Sequence, residues 1–165
     1  MTEIVEKVLK ELKSKYKPNT PIELNVVDGV PCNAICEYKS AATRDDLQLL
    51  EHYLGRTIPN DYKMFLNSYN GASILATYED GMVIKSEGLE IFDVENAIDN
   101  SKNLDLESNY IAVGIFLDDY WVVLDLDKNC ICICEYGEMT ELSIRFEQFV
   151  DKFMKTSRHA FWQDQ

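Results

Sequence analysis

Leu54-Gly-Arg-Thr-Ile-Pro-Asn-Asp-Tyr-Lys-Met-Phe-Leu-Asn-Ser-Tyr-Asn-Gly71 forms a self-contained helix cassette. Pro59 suits the first helical turn, where a missing N–H costs little. Asn70-Gly71 supplies residues that readily take the left-handed conformation that closes a helix. Between them Tyr62, Phe65, Leu66 and Tyr69 fall at i, i+3, i+4 and i+7, a single apolar stripe. A stripe of this kind is built to press against a core, so the cassette reads as a packing element and not as catalytic machinery.

Upstream of the cassette, a second helix is predicted from Thr43, with Asp46 three residues later as a short capping box. It buries Leu47, Leu50 and Leu54 and ends at Gly55. Before it, Thr2 can cap a first helix through Ile4, Val5, Val8, Leu9 and Leu12 that stops before Pro18. Ile22 to Tyr38 reads as a short β excursion broken at the turn dipeptide Asp28-Gly29.

Downstream of Gly71 the apolar period changes to two. Strands are predicted at Ile74–Tyr78, Met82–Ile84 and Leu89–Phe92, with a turn at Glu79-Asp80-Gly81. A short helix near Asp93 to Ser101 leads to Tyr110–Leu117, which turns at Asp118-Asp119 into Tyr120–Leu126. Asp127-Lys128-Asn129 then turns that strand into Cys130-Ile-Cys-Ile-Cys134. Ser143 can cap a closing helix carrying Phe146, Phe149, Val150, Phe153 and Met154. The tail from Ser157 has no period, but its Phe161 and Trp162 are expected to dock on the body or to meet a partner. No repeat or long linker divides the chain, so a single α+β domain is predicted over residues 1–165, a central antiparallel sheet with helices packed around it. Residues 1–42 form an N-terminal extension and 157–165 a tail. A chain of 165 residues buries about 70% of its unfolded surface, enough for a core without metals or disulfides.

Twenty-nine acidic against sixteen basic residues give a net charge of −13. Such a surface repels phosphates, whose binding needs Lys and Arg to displace counterions, so nucleic acid is not an expected partner. Basic proteins are, since a focused acidic field can raise association rates by about 10 to 10³. Met1-Thr-Glu-Ile-Val-Glu-Lys7 has no uninterrupted apolar run of the signal-peptide kind, and the longest apolar stretch, Tyr110 to Leu117, is far below the roughly 20 residues of a spanning helix. A cytoplasmic protein without membrane segments is the expectation.

Five cysteines are an odd number, and Cys130, Cys132 and Cys134 alternate with Ile131 and Ile133 on one face of a strand. Same-face neighbours on a regular strand stand about 6.7 Å apart, too far for a disulfide and for thiols sharing a tetrahedral zinc ion. They are read as small core hydrophobes in a reducing compartment, with no metal and no cofactor. His52 and His159 are the only histidines, and no G-x-S-x-G, H-E-x-x-H, P-loop or G-x-G-x-x-G motif occurs, so no catalytic residue is assigned. Asp125-Leu-Asp-Lys-Asn129 matches the start of a calcium loop but has Cys130 where that loop needs Gly, and it is flanked by β periodicity; it is read as a hairpin turn.

The acids cluster. Glu79, Asp80, Glu87, Glu90, Asp93, Glu95 and Asp99 face a single cation, Lys85, within that span, and Asp118, Asp119, Asp125 and Asp127 follow at turns. Acidic turns keep an antiparallel sheet soluble, and they also present a binding surface. On the second reading, Glu79, Asp80, Glu87, Asp93, Asp118, Asp119, Tyr120 and Trp121 are the candidate partner-binding residues, with Tyr78 a further aromatic anchor if exposed.

Ile58-Pro-Asn-Asp-Tyr-Lys-Met-Phe-Leu66 followed by Tyr69-Asn-Gly71 resembles the signature of the SUKH superfamily of bacterial immunity proteins and fungal cell-wall regulators. Two further blocks resemble it in the same order, Ile111 to Leu126 and Ile144 to Phe153. Ala72 stands where a second glycine is frequent, and the N-terminal extension is long. The resemblance implies a non-enzymatic binding module. In many relatives that module neutralises a polymorphic toxin by direct association in the cytosol; in others it is a regulatory or scaffold domain in cell-wall or signalling pathways. It implies no catalytic residues, and the shared positions read physically as core and caps.

Overall fold

The computed structural model describes residues 3–25 and 31–164. The expected cap at Thr2 and the turn at Asp28-Gly29 lie outside the described residues. Among the described residues, five α-helices and nine strands make one α+β domain. In chain order these are α1 (Glu3–Ser14), β1 (Ile22–Asn25), β2 (Pro31–Tyr38), α2 (Arg44–Leu54), α3 (Asn60–Ser68), β3 (Ala72–Glu79), β4 (Met82–Ile84), β5 (Leu89–Ile91) and α4 (Val94–Asn103). The chain continues through β6 (Tyr110–Phe116), β7 (Tyr120–Asp125), β8 (Cys130–Glu135), β9 (Glu138–Glu141) and α5 (Phe146–Lys155). The strands form one open antiparallel sheet in the order β1-β2-β3-β5-β6-β7-β8-β9, with β4 paired to β3 beyond β5.

The cap of α2 is as the sequence predicts. Thr43 Oγ1 accepts the Asp46 N–H at 3.1 Å, Asp46 Oδ2 accepts the Thr43 N–H at 2.9 Å, and Gly55 closes the helix in the left-handed region at φ 68°. Helix α3 buries Tyr62, Phe65 and Leu66, and the rings of Tyr62 and Phe65 meet Phe146 of α5 edge-on at 5.1 and 5.4 Å. Together with Val8 and Leu12 of α1, these side chains cover the sheet face bearing Ile74, Ile111, Val122, Leu124, Ile131 and Ile133.

Two expected caps are corrected. Helix α3 is not closed by Asn70-Gly71: Tyr69 is already extended at φ −143°. Asn70 works at longer range. Its Oδ1 accepts the Val94 N–H at 2.9 Å at the start of α4, and its Nδ2 donates to the capping carboxylate of Asp46 at 3.5 Å. Gly71, at φ 101°, lies so close to the Asp93 backbone that a Cβ would stand 3.0 Å from its nitrogen. Nor does Ser143 cap α5. The Ile131 N–H donates to Ile144 O at 2.6 Å and the Leu142 N–H to Ile131 O at 2.9 Å, which keeps the segment tied to β8, so the helix starts only after Arg145.

Strand β3 pairs with β5 at residues 72–74 and with β4 at 77–79, and Leu75 lies at the change of partner with φ 56°. Its backbone groups leave the ladder. The Leu75 N–H donates to Cys36 Sγ at 3.4 Å, and Leu75 O accepts from the Arg158 guanidinium at 3.1 Å. Arg158 also donates to Thr77 Oγ1 at 2.7 Å, Glu87 O at 3.2 Å and Cys32 Sγ at 3.1 Å. A residue of the tail thus satisfies acceptors that the sheet abandons. Beyond it Phe161 and Trp162 are buried against Phe149, which bears out the expected docking.

Beneath the start of α5, Glu147 is fully buried. Its Oε1 accepts from Arg145 Nε at 2.6 Å, its Oε2 has no hydrogen-bond partner among the described residues, and the buried Asp61 carboxylate also lies near Arg145, at 3.9 Å. Burial raises the Glu147 carboxyl above its ordinary value, with Asp61 adding to the rise and Arg145 opposing it.

Two outcomes follow for stability. Arg158→Ala strands the carbonyls of the buried Leu75 and the part-buried Glu87 and should cost about 2–3 kcal/mol in urea unfolding. Since the folded state binds the Glu147 proton more tightly than the unfolded state, that residue's contribution to stability falls as pH rises from the unfolded carboxyl value through the raised folded one. Glu147→Gln, compared with the parent protein by thermal unfolding, should therefore gain relative stability from acid to neutral pH; an unchanged or opposite trend refutes the assignment.

Candidate functional site

Side chains on β7 alternate between two environments. Val122 and Leu124 enter the helix-covered core, whereas Trp121 and Val123 face the other side of the sheet with Cys132 and Cys134 of β8. That second face is only partly covered. Leu106, from the segment joining α4 to β6, and Tyr110 pack on the small cluster of Val123, Cys132 and Cys134.

Beside this cluster lies an open groove of about 550 Å³. Its floor is Trp121, Tyr110 and Cys134, and Leu104 and Leu106 form one wall. Tyr136 and Met139, 84% and 38% exposed, stand on the other. Asp105 and Glu107 rim it from the α4–β6 segment, and Asp118 and Asp119 from the β6–β7 turn. Four carboxylates and no cation line an aromatic floor. The groove can seat apolar side chains while the rim attracts positive charge.

The structure brings Asp118, Asp119 and Trp121 together in this groove. Tyr120, adjacent in the chain, points the opposite way: it meets Trp162 at 5.4 Å, stacks on Phe116, and its hydroxyl accepts from Gln163 Nε2 at 2.6 Å. Glu79 and Asp80 are exposed in the β3–β4 turn, away from the groove lining. Glu87 accepts from Thr77 Oγ1 at 3.1 Å in the cluster held by Arg158. Asp93 caps α4, accepting the Asn96 N–H at 2.8 Å and pairing with Lys39 at 2.7 Å. Tyr78 is half-buried on β3.

Asp105, Glu107, Tyr110, Tyr136 and Met139 were not singled out by sequence. One cue was present: Tyr136-Gly137 is a left-handed pair, φ 50° and 81°, that turns β8 into β9. Strand β9 itself, Glu-Met-Thr-Glu, has no apolar alternation and exists through its register with β8.

Further along the same face, the β7–β8 turn is the hairpin expected in place of a calcium loop. Asp125 Oδ1 accepts the backbone N–H groups of Asp127 at 3.0 Å and Lys128 at 3.2 Å. All five cysteines are free thiols, and Cys130, Cys132 and Cys134 are buried as expected. Across the ladder, ligand atoms of Asp125, Cys130 and Cys132 all lie within 4.8 Å of one another, nearer than the regular strand spacing predicts for Cys130 and Cys132. Among the described residues, no helix is long and apolar enough to cross a membrane.

Residues 41–152 match the family model described as the SMI1 / KNR4 family (SUKH-1). The chain is 31% identical over 172 residues to the uncharacterized protein YobM of Bacillus subtilis (strain 168), covering 98% of this chain and 92% of that one. It is 24% identical over 139 residues to the uncharacterized protein YnaB of the same organism, covering 79% and 89%. The matched span runs from just before the Thr43 cap through the cassette helix, the Asp118–Asp119 hairpin and most of α5; the chain belongs to the SMI1/KNR4 (SUKH-1) family.

Proposed function

We propose that this protein is an immunity-type binding module that neutralises a basic polymorphic toxin domain by direct, non-catalytic association in the cytosol. The observation that carries the reading is the groove lined together by Asp118, Asp119 and Trp121 with no basic residue in the lining. Carboxylates on the rim steer a cationic surface inward, and the aromatic floor supplies the desolvated anchor that slows its departure. A net charge of −13 adds a long-range field of the same sign.

Membership of a family that contains immunity proteins supports the same reading. The groove does not need the substrate-activating groups of an enzyme: its lining has no histidine or lysine to act as a base at neutral pH. Glu79 and Asp80, exposed in another hairpin, contribute to the field without touching the partner. Glu87 and Asp93 serve the fold through their hydrogen bonds and contribute only charge.

The test is association with the toxin domain encoded beside this protein's gene, by stopped-flow mixing and by growth rescue on co-expression. Replacing Asp118 and Asp119 together by lysine should slow association about tenfold at low salt and flatten its salt dependence. Trp121→Ala should speed dissociation about 30-fold, equivalent to about 2 kcal/mol. No complex at micromolar concentration ends the proposal, and an equal slowing by lysines at Glu79 and Asp80 displaces the groove as the contact site.

A further inference from the structure

We propose that Asp125, Cys130 and Cys132, with Glu141 as fourth donor, form a zinc-binding site that ties β7, β8 and β9 together at the open end of the sheet. Antiparallel register creates it: Asp125 sits opposite Cys130, and Glu141 opposite Cys132. All four side chains therefore emerge on one face, within three neighbouring strands.

The ligand atoms of Asp125, Cys130 and Cys132 are mutually within 4.8 Å, although no ligand is a histidine. Sulfur ligands about 2.3 Å from a tetrahedral zinc ion stand roughly 3.8 Å apart, so these three close on the metal with a contraction of about 1 Å at most, while Glu141, outside that group, swings in from its pair with Lys128. The groups are already neighbours: the Glu141 carboxylate and the Cys132 thiol both act on Cys130 electrostatically. Asp125 Oδ1 is fixed by two backbone N–H groups of its turn, which orients the carboxylate as the outer hydrogen bonds of a metal ligand do.

Two thiols and two carboxylates gather here beside Lys128, which pairs with Glu141 at 2.9 Å, while the nearby Arg145 is paired with Glu147 at 2.6 Å. A divalent ion supplies the positive charge that lets the two thiols ionise, and the two thiol protons leave to solvent as it binds. Two thiolates with oxygen donors in a tetrahedral arrangement suit zinc above calcium or magnesium, which take oxygen alone. Entry is open: a depression of about 440 Å³ lined by Lys128, Asn129, Cys130, Glu141 and Arg145 leads to the site from solvent.

The inference is independent of the toxin-binding proposal, because it concerns the chain alone. Cobalt(II) titrated into the reduced full-length protein is the probe. One equivalent should bind with thiolate-to-metal charge-transfer absorption and tetrahedral d–d bands, zinc should displace it, and zinc should raise the melting temperature. Cys132→Ser should remove the charge-transfer signal, and Asp125→Asn, which can keep the turn's hydrogen bonds, should weaken binding at least tenfold. Cys134→Ser, one pair further along the strand, should leave both unchanged. Circular dichroism establishes that each variant is folded; if Cys132→Ser does not fold, Asp125→Asn and Cys134→Ser decide. The site is refuted by the absence of charge-transfer absorption in the parent protein, by Asp125→Asn binding cobalt as tightly as the parent, or by Cys134→Ser losing the signal.

Discussion

The alternation of side chains along β7 and β8 is the constraint on which the molecule depends. Val122, Leu124, Ile131 and Ile133 must enter the core beneath α1, α3 and α5. A strand has a side-chain period of two, so this requirement alone sends Trp121, Val123, Asp125, Cys130, Cys132 and Cys134 to the opposite face. A slip of one residue would exchange the two sets and bury the Asp125 carboxylate in the main core. Register thus fixes both the fold and the chemistry displayed on the second face.

That second face is where function has room to reside. The helices cover the first face with rings packed at 5 to 6 Å. On the second, Leu106 and Tyr110 pack on the small cluster and Phe92 meets Trp121 at 6.2 Å, beside the open groove. The edge strand β9 is fully exposed, and its glutamates discourage pairing with another sheet edge while leaving the face beside it open. In the proposed role, acidic turns serve solubility and recognition with the same residues.

Much of this was legible in the chain. The Thr43–Asp46 box, the stripe of α3 and the hairpins about Asp118-Asp119 and Asp127-Lys128 are local, set by propensity and period within a few residues. Their placement follows the sequence closely. The roles of Asn70 and Arg158 were not legible, because each is completed by atoms distant in the chain: Val94 and Leu75. Reading Tyr120 and Trp121 as joint anchors overlooked a local cue, since consecutive strand residues face opposite ways. Here the tail aromatics claim Tyr120 and the groove keeps Trp121.

By itself the sequence determined the kind of element at each position, the strongly negative charge and the family to which the chain is similar, because capping, periodicity and composition are local or additive properties. Tertiary structure alone decided which carboxylates meet an aromatic floor, which thiols approach a carboxylate, and which polar groups serve the fold instead. Those outcomes depend on strand register and on contacts between segments tens of residues apart, and no single segment carries that information.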